Sequence, residues 1–418
     1  MSTRVGTSQR KKPAAIAEKR LIGLLGPAFV AAVAYVDPGN VAANLTAGAQ
    51  FGYLLVWVLV AANLMAVLIQ YLSAKLGIAT GKSLPEILGE RLNRGPRLLF
   101  WAQAQIVAIA TDLAEVVGGA VALHLLFGLP LLLGGCIVGA VSLVLLLVQS
   151  RRRQRTFEFV VMGLLLVIVI GFLAGLVVSG PDWKQVGEGL VPRFEGTQTV
   201  LLAASMLGAT VMPHAIYLHS SLARDRHGKA SQEVIPRLVK ATRLDVVISL
   251  IVAGGVNIGM LLLAATSLAG RGGTDSIEGA HAAITSALGP TIGVIFAIGL
   301  LASGLASTSV GAYAGAEIMA GMLRIRVPLV LQRLITLIPA LMVIGVGLDP
   351  TKTLVVSQVI LSIGIPFAVI PLALYTGRRS IMGTLVNPTA VKATIWAVAA
   401  LIVTLNVALI WLTITGAA

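Results

Sequence analysis

Residues 32–40 read AVAYVDPGN. A carboxylate, Asp37, stands inside an apolar run and is followed at once by Pro38 and Gly39. Proline removes a backbone donor and disfavours helix in the residue before it. Glycine takes backbone angles that other residues avoid. A helix therefore stops here and restarts. In hydrocarbon an unsatisfied carbonyl is costly, so such a break must face protein or a water-filled cavity. A carboxylate at that depth defaults to function. The bland alternative is a structural kink with Asp37 as a buried hydrogen-bonding group.

Composition places this stretch in a membrane. The 418 residues are 57% hydrophobic and 11% charged, with mean hydropathy +0.94. Soluble domains run at about 45–50% apolar and about 25% charged. That contrast excludes a soluble enzyme, a disordered chain and a nucleic-acid-binding domain, despite a net charge of +14. Cys136 is the single cysteine, so no intramolecular disulfide or cysteine-based metal site is available.

A spanning helix needs about 20 mostly apolar residues. The sequence supplies eleven such runs, at 21–48, 52–77, 98–126, 129–149, 156–179, 198–222, 244–268, 290–322, 328–347, 352–376 and 391–415. A short amphipathic stretch, 277–287, precedes the eighth. With the N-terminus inside, only Lys184, Arg193, Arg271 and Lys352 of the 31 Lys and Arg fall on the external side. That strict alternation is the positive-inside pattern. It predicts a cytoplasmic basic arm, 1–20, and an external C-terminus. Arg151–Arg152–Arg153 reads as a topology anchor. Glu317 is expected to pair with Arg324 or Arg326, and Glu158 with the basic cluster at 151–155.

The sixth run contains GATVMPHAIYLHSS, residues 208–221, with Pro213 between Met212 and His214. Each proline break thus falls in the first of a set of five spans. Paired interruptions at matching places point to an inverted-repeat transporter with a site at the membrane midplane. The organisation is then a first repeat, 21–179, a second repeat, 198–376, and an eleventh helix, 391–415. The site would offer a carboxylate oxygen from Asp37, an amide oxygen from Asn40 and the Met212 thioether. Carbonyls of the unwound residues Ala34 and Ala209 are further candidates. Soft sulfur is wasted on Mg²⁺ or Ca²⁺, which prefer oxygen, whereas a mixed set suits Mn²⁺ or Fe²⁺. Taken alone, Met212 also reads as ordinary helix packing.

The paired signatures DPGN (37–40) and MPH (212–214) resemble those of the Nramp family of proton-coupled divalent-metal transporters. The resemblance extends to ATDLAEVVG (110–118) and SQVILSIGIPFA (357–368). It implies an all-α polytopic membrane protein of eleven transmembrane helices. The core would be a leucine-transporter-type 5+5 inverted repeat, with helices 1 and 6 broken at Pro38, Gly39 and Pro213. It implies Mn²⁺ import, with Fe²⁺, Co²⁺ and Cd²⁺ as further cargo, by alternating access and proton symport. The metal ligands would be Asp37, Asn40 and Met212, joined by Ala34, Ala209 and Gln358 in some conformations. Mn²⁺ and H⁺ are expected as transported substrates, with no resident cofactor.

Asp112 and Glu115 are three apart and share a helix face. Intramembrane carboxylates must face protein or water, and Arg333, inside the ninth run, is the obvious basic partner. A structural salt-bridge network and a proton relay both fit. The resemblance implies a relay from Asp37 and His214 through Asp112, Glu115 and Arg333, with His219 lining the inner route. Two positions depart from the family pattern. Gln332 stands where an arginine is common, and Gln105 where a glutamate is common.

Other classes fare worse. A channel needs a continuous pore lined by carbonyl or carboxylate rings, and no filter motif is present. An intramembrane metalloenzyme needs paired ligands such as HExxH, and the five His form no i, i+4 pair. No GxxxxGK[ST] motif is present, so ATP-driven transport is not expected. The expected partners are metal ions, protons and the lipid bilayer of a bacterial inner (plasma) membrane, with the protein a monomer.

Overall fold

The computed structural model of the chain describes residues 26–148, 154–227, 233–274, 276–325 and 327–415. The basic arm 1–20, Arg151–Arg152–Arg153 and Arg326 lie outside the described residues. Every regular element among the described residues is helical.

Span 1 comprises α1 (Pro27–Val33), one 3-10 turn (Ala34–Val36) and α2 (Pro38–Phe51). Span 2 is α3 (Val56–Thr80), followed by the short α4 (Leu84–Arg91). Spans 3, 4 and 5 are α5 (Arg94–Phe127), α6 (Leu131–Val148) and α7 (Gln154–Ser179), and the short α8 (Trp183–Glu188) follows. Span 6 is again split, into α9 (Thr197–Thr210) and α10 (Pro213–His227). Span 7 is α11 (Ile235–Ser267), the surface helix is α12 (Ile277–Leu288) and span 8 is α13 (Pro290–Met322). Spans 9 and 10 are α14 (Leu329–Gly345) and α15 (Pro350–Thr376). A short α16 (Arg379–Met382) leads to span 11, α17 (Thr389–Thr415). Eight helices are long and apolar enough to cross a membrane, with span 6 counted as one. The shorter apolar helices Pro27–Val36, Leu131–Leu145 and Val330–Gly345 complete the eleven.

The packing carries the two-fold relation that sequence identity does not. The second half of span 1 lies along span 7, and the second half of span 6 lies along span 2. Span 3 packs on span 10, and span 8 on span 5. Spans 3 and 8 pack on each other. Exchanging spans 1–5 with 6–10 maps each of these contacts onto another. Small residues permit the close approaches, as is usual where hydrocarbon supplies no hydrophobic drive between helices. A Cβ at Gly118 of α5 would overlap the Pro38 ring, and one at Gly77 of α3 would overlap the Ser220 carbonyl. Overpacking of this kind typically costs about 1–3 kcal/mol. Gly118→Val is therefore expected to lower the melting temperature of the purified protein and to displace the span 1 break. An unchanged melting curve would show that Pro38 has room to move.

Three short helices, α4, α8 and α16, escaped the sequence reading, and the first two carry side-chain caps. The α4 helix starts with a capping box: Ser83 Oγ accepts from Glu86 N at 3.4 Å, and Glu86 Oε2 accepts from Ser83 N at 2.7 Å. Its signal is Ser–x–x–Glu. Asp182 caps α8 in the same manner, accepting from Lys184 N and Gln185 N.

The end of the bundle that carries α4 is tied shut. Arg224, near the end of α10, reaches Glu86 of α4 at 2.7 Å, Glu317 of α13 at 2.9 Å and its neighbour Asp225 at 2.7 Å. Arg226 lies 3.5 Å from Glu158 of α7. Glu317 and Glu158 thus each reach an arginine at the end of span 6, partners that their place in the sequence did not suggest. Burial alone would raise the Glu86 carboxyl. The Ser83 N–H and the Arg224 guanidinium outweigh burial and hold it below the usual glutamate range, so the Glu86–Arg224 pair stays ionised at neutral pH. Asp245 of α11 accepts from Gly26 N at 3.1 Å and Ala28 N at 3.0 Å, and so pins the start of α1.

Candidate metal site at the paired helix breaks

Both breaks follow from local backbone chemistry. At span 1, Asp37 turns extended (φ −70°, ψ 166°) and becomes the N-cap of α2. Its Oδ1 accepts from Asn40 N at 2.8 Å and from Asn40 Nδ2 at 2.6 Å. Pro38 follows at the first helical position, where its missing N–H costs nothing. In an unbroken helix the Ala34 carbonyl would bond to the N–H of residue 38, and Pro38 has none. The same arithmetic holds at span 6, where Ala209 lies four residues before Pro213. The two carbonyls singled out as candidate ligands are thus the two that proline leaves without an intrahelical donor. That i, i+4 relation was available in the sequence as the reason for choosing them.

The breaks meet through Asn40. Its Nδ2 donates to the Ala209 carbonyl at 2.8 Å, and Thr210 Oγ1 donates to its Oδ1 at 3.4 Å. The Ala209 carbonyl thus already accepts one hydrogen bond, which leaves its second lone pair for another donor or a metal. Two further carbonyls of the span 1 break are already taken. Asn257 Nδ2 donates to Tyr35 O at 2.7 Å, and Ser303 Oγ donates to Val36 O at 2.6 Å. Asn44 Nδ2 donates to Asn257 Oδ1 at 3.0 Å. Asn257 is therefore a clamp on the break, not a generic helix glue. Ser303 gave no signal beyond being a serine inside an apolar run.

What remains unsatisfied is informative. Asp37, Asn40 and Met212 are fully buried, and Gln358 is 1% exposed. Asp37 Oδ2 and Gln358 Oε1 have no hydrogen-bond partner. Buried polar atoms are normally paired, so these two call for a ligand. Gln358 brings span 10 to the break: a Cβ at Gly39 would overlap its amide nitrogen and would lie 3.2 Å from Asp37 Oδ2. Only glycine leaves that space. Above it, a cavity of about 520 Å³ has Gly39 and Gln358 in its lining and rises between Gln50, Gln198 and Leu409. The cavity opens at the end of the bundle that carries α8, opposite the tied end. Among the described residues no three His, Cys, Asp or Glu side chains come together to hold a metal. A metal held here would therefore need amide and carbonyl oxygens or a thioether beside the one carboxylate.

The remaining sequence-selected residues fall into two groups. Around span 3, Arg333 forms a buried ion pair with Asp112. Asp112 Oδ1 has no hydrogen-bond partner, and neither oxygen of Glu115 has one. Glu115 faces span 8, where a Cβ at Gly311 would come 3.0 Å from its Oε2. Thr111 Oγ1 lies 3.3 Å from His214 Nδ1, which leaves His214 Nε2 without a hydrogen-bond partner. His219 belongs elsewhere. Its Nδ1 meets Gln70 Oε1 at 2.8 Å, and Gln70 Nε2 donates to Tyr35 OH at 2.6 Å. The chain His219–Gln70–Tyr35 runs into the span 1 break from span 2. Thr111, Gln70 and Tyr35 were not selected from the sequence, although each is a polar group inside an apolar run. The two departures face each other: Gln332 Nε2 stands 3.5 Å from Gln105 Oε1. Where opposite charges would meet across spans 3 and 9, this chain has two neutral amides.

Eleven helical spans, two of them broken at one shared midplane site, define a polytopic membrane transporter. The fold is shared with transporters of remote sequence, such as Mhp1 of the nucleobase-cation-symport-1 family (TM-score 0.60, 16% identity, 96% of this chain and 94% of that one). Residues 28–412 match the natural resistance-associated macrophage protein-like family, Nramp. The chain is similar to the divalent metal cation transporter MntH of Mycobacterium tuberculosis, with 61% identity over 94% of this chain and 92% of that protein. The crystal structure of the Eremococcus coleocola manganese transporter superposes with TM-score 0.84 at 31% identity, covering 92% of this chain and 85% of that one. The chain belongs to the Nramp family. It is a membrane metal-ion transporter and not an enzyme.

Proposed function

We propose that the protein imports divalent transition metals, Mn²⁺ first and Fe²⁺, Co²⁺ and Cd²⁺ besides, in symport with protons. The observation that carries this reading is Asp37 Oδ2, a fully buried carboxylate oxygen without a partner. It stands where two helix breaks and Gln358 converge. A divalent cation entering the cavity meets this oxygen and then the Met212 thioether, the Asn40 and Gln358 amides, and the Ala34 and Ala209 carbonyls. The donors are few and mostly neutral, which suits cargo that must leave again. The manganese and divalent-metal relatives support the same cargo.

The asymmetry of the two ends supports alternating access. The cavity side is open, and the other is held by Arg224, Arg226 and Asp245. Release requires α1 and α10 to leave those ties while α2, α9 and span 10 close above. The inner membrane of a bacterium is the proposed location, with the N-terminus cytoplasmic and the cavity external. The membrane potential then favours entry of a divalent cation by roughly 4.6 kcal/mol per 100 mV. Protons follow Asp37, His214, Asp112, Glu115 and Arg333. Gln105 and Gln332 cannot carry charge at the end of that line.

The test is reconstitution in liposomes with Mn²⁺ outside, an acid exterior and an inside-negative potential. Mn²⁺ uptake with internal acidification is expected. Uptake without acidification would remove the proton relay and keep the metal site. No uptake would overturn the cargo.

A further inference from the structure

Span 10 contains two prolines inside one helix, Pro366 and Pro371. Each removes the donor to the carbonyl four residues earlier, which here means Ser362 and Phe367. A carbonyl so freed inside a membrane must find another donor. Both have found one, and each comes from a different helix. Asn406 Nδ2, on α17, donates to Ser362 O at 2.8 Å, while Ser362 Oγ donates back to Asn406 Oδ1. Tyr217 OH, on α10, donates to Phe367 O at 3.1 Å. Asn406 is 5% exposed and Ser362 is 2% exposed.

Ser362 is placed where this matters. It lies one helical turn after Gln358, on the same face of α15. It also abuts the span 6 break: a Cβ at Gly208, the residue before Ala209, would come 2.7 Å from Ser362 Cβ. Leu409, one turn beyond Asn406, lines the cavity beside Gln358. The eleventh helix thus reaches the wall of the site.

We infer that Asn406 is a positioning residue of the transport cycle: by filling the bond Pro366 vacates, it seats the Gln358 turn of span 10 against the two helix breaks. The eleventh helix is then a strut for a moving span, not an appendage beside the ten-helix core. Side chains make the bond, so span 10 can hinge at Pro366 and be recaptured without unsatisfied backbone in either state. Tyr217 does the same one turn lower, for the half of span 10 that moves with α10. The consequence for metal rests on the reading of Gln358 as a donor; the seating of span 10 does not.

The experiment uses the full chain with Cys136→Ser and a Val359→Cys reporter in the cavity wall, labelled with a membrane-impermeant maleimide in the absence of metal. Asn406→Leu removes the donor at similar volume and is expected to change the labelling rate about fivefold, the population shift one lost buried hydrogen bond can produce. Adding Pro366→Ala restores a backbone N–H to Ser362 O and is expected to return the rate to that of the reporter alone. In Mn²⁺ uptake, Asn406→Leu is expected to raise KM about tenfold, with Pro366→Ala again compensating. Asn406→Asp, which keeps size but lacks the amide donor, should behave as Asn406→Leu and covers the case in which leucine is not tolerated. Labelling unmoved by either substitution, or moved and not restored by Pro366→Ala, overturns the inference. A reporter protein that labels normally but carries no Mn²⁺ overturns the cargo reading alone, because the labelling arm still decides the role of Asn406.

Discussion

Asp37→Asn abolishes metal uptake without unfolding the protein. Asparagine is as good an N-cap as aspartate, and its side-chain oxygen can accept from Asn40 N as Asp37 Oδ1 does at 2.8 Å. The helix break therefore survives. What disappears is the negative charge on a fully buried oxygen that has no partner. The other donors proposed for the ion are uncharged, so nothing nearby replaces it. Removing groups that merely orient metal ligands typically costs 10–100-fold in affinity or activity, so loss of a charged ligand should cost at least about 100-fold. Mn²⁺ uptake into liposomes and calorimetric binding to purified protein measure the effect. The melting temperature should stay close to wild type. Retained uptake with a normal melting curve would show that Asp37 is a structural kink residue after all.

Met212→Ala changes which ions enter. The thioether is the one soft donor in the set, and soft sulfur favours transition metals over Ca²⁺ and Mg²⁺. With alanine there, water takes the vacated position and the site becomes all-oxygen. Selectivity for Mn²⁺ over Ca²⁺ should fall by about tenfold or more, with Ca²⁺ uptake appearing where wild type shows none. Mn²⁺ itself should still pass at a reduced rate. Truncating a buried methionine in a dry core costs about 2–5 kcal/mol. Met212 is fully buried among apolar side chains, so a loss of stability within that range is expected. Competition of Ca²⁺ and Mg²⁺ against Mn²⁺ uptake, wild type beside variant, decides the matter. Unchanged discrimination would assign Met212 to packing and move the selectivity to geometry.

These predictions differ in how they became available. The sequence sufficed for Asp37, Pro38 and Pro213, because the events there are confined to four or five consecutive residues. A proline without an N–H, an aspartate that caps and a carbonyl left over are facts of the local chain. The spans were legible for a related reason, since length and hydropathy are also local sums. Span 8 runs over Pro290–Met322, as read from Gly289–Pro290 and the apolar run after it. The short helices α4 and α8 were missed although their caps were present, because helices of eight and six residues do not stand out against apolar runs of about twenty.

Everything that depends on which helix face meets which neighbour had to come from the fold. Hydropathy cannot supply it, because lipid is as apolar as a protein core and an inward face need not be more apolar than an outward one. That is why the reach of Glu317 to Arg224 and of Glu158 to Arg226 was not foreseen. It is also why no partner was expected for His219, which the rotation of α10 brings to Gln70. Gln105 and Gln332 were two separate oddities until packing set them face to face. Asn406 was unremarked in an apolar run until it was seen closing the bond that Pro366 leaves open. Where a helix must break is written in four consecutive residues; which side chain mends the break depends on the depth and rotation of another helix, and only packing sets those.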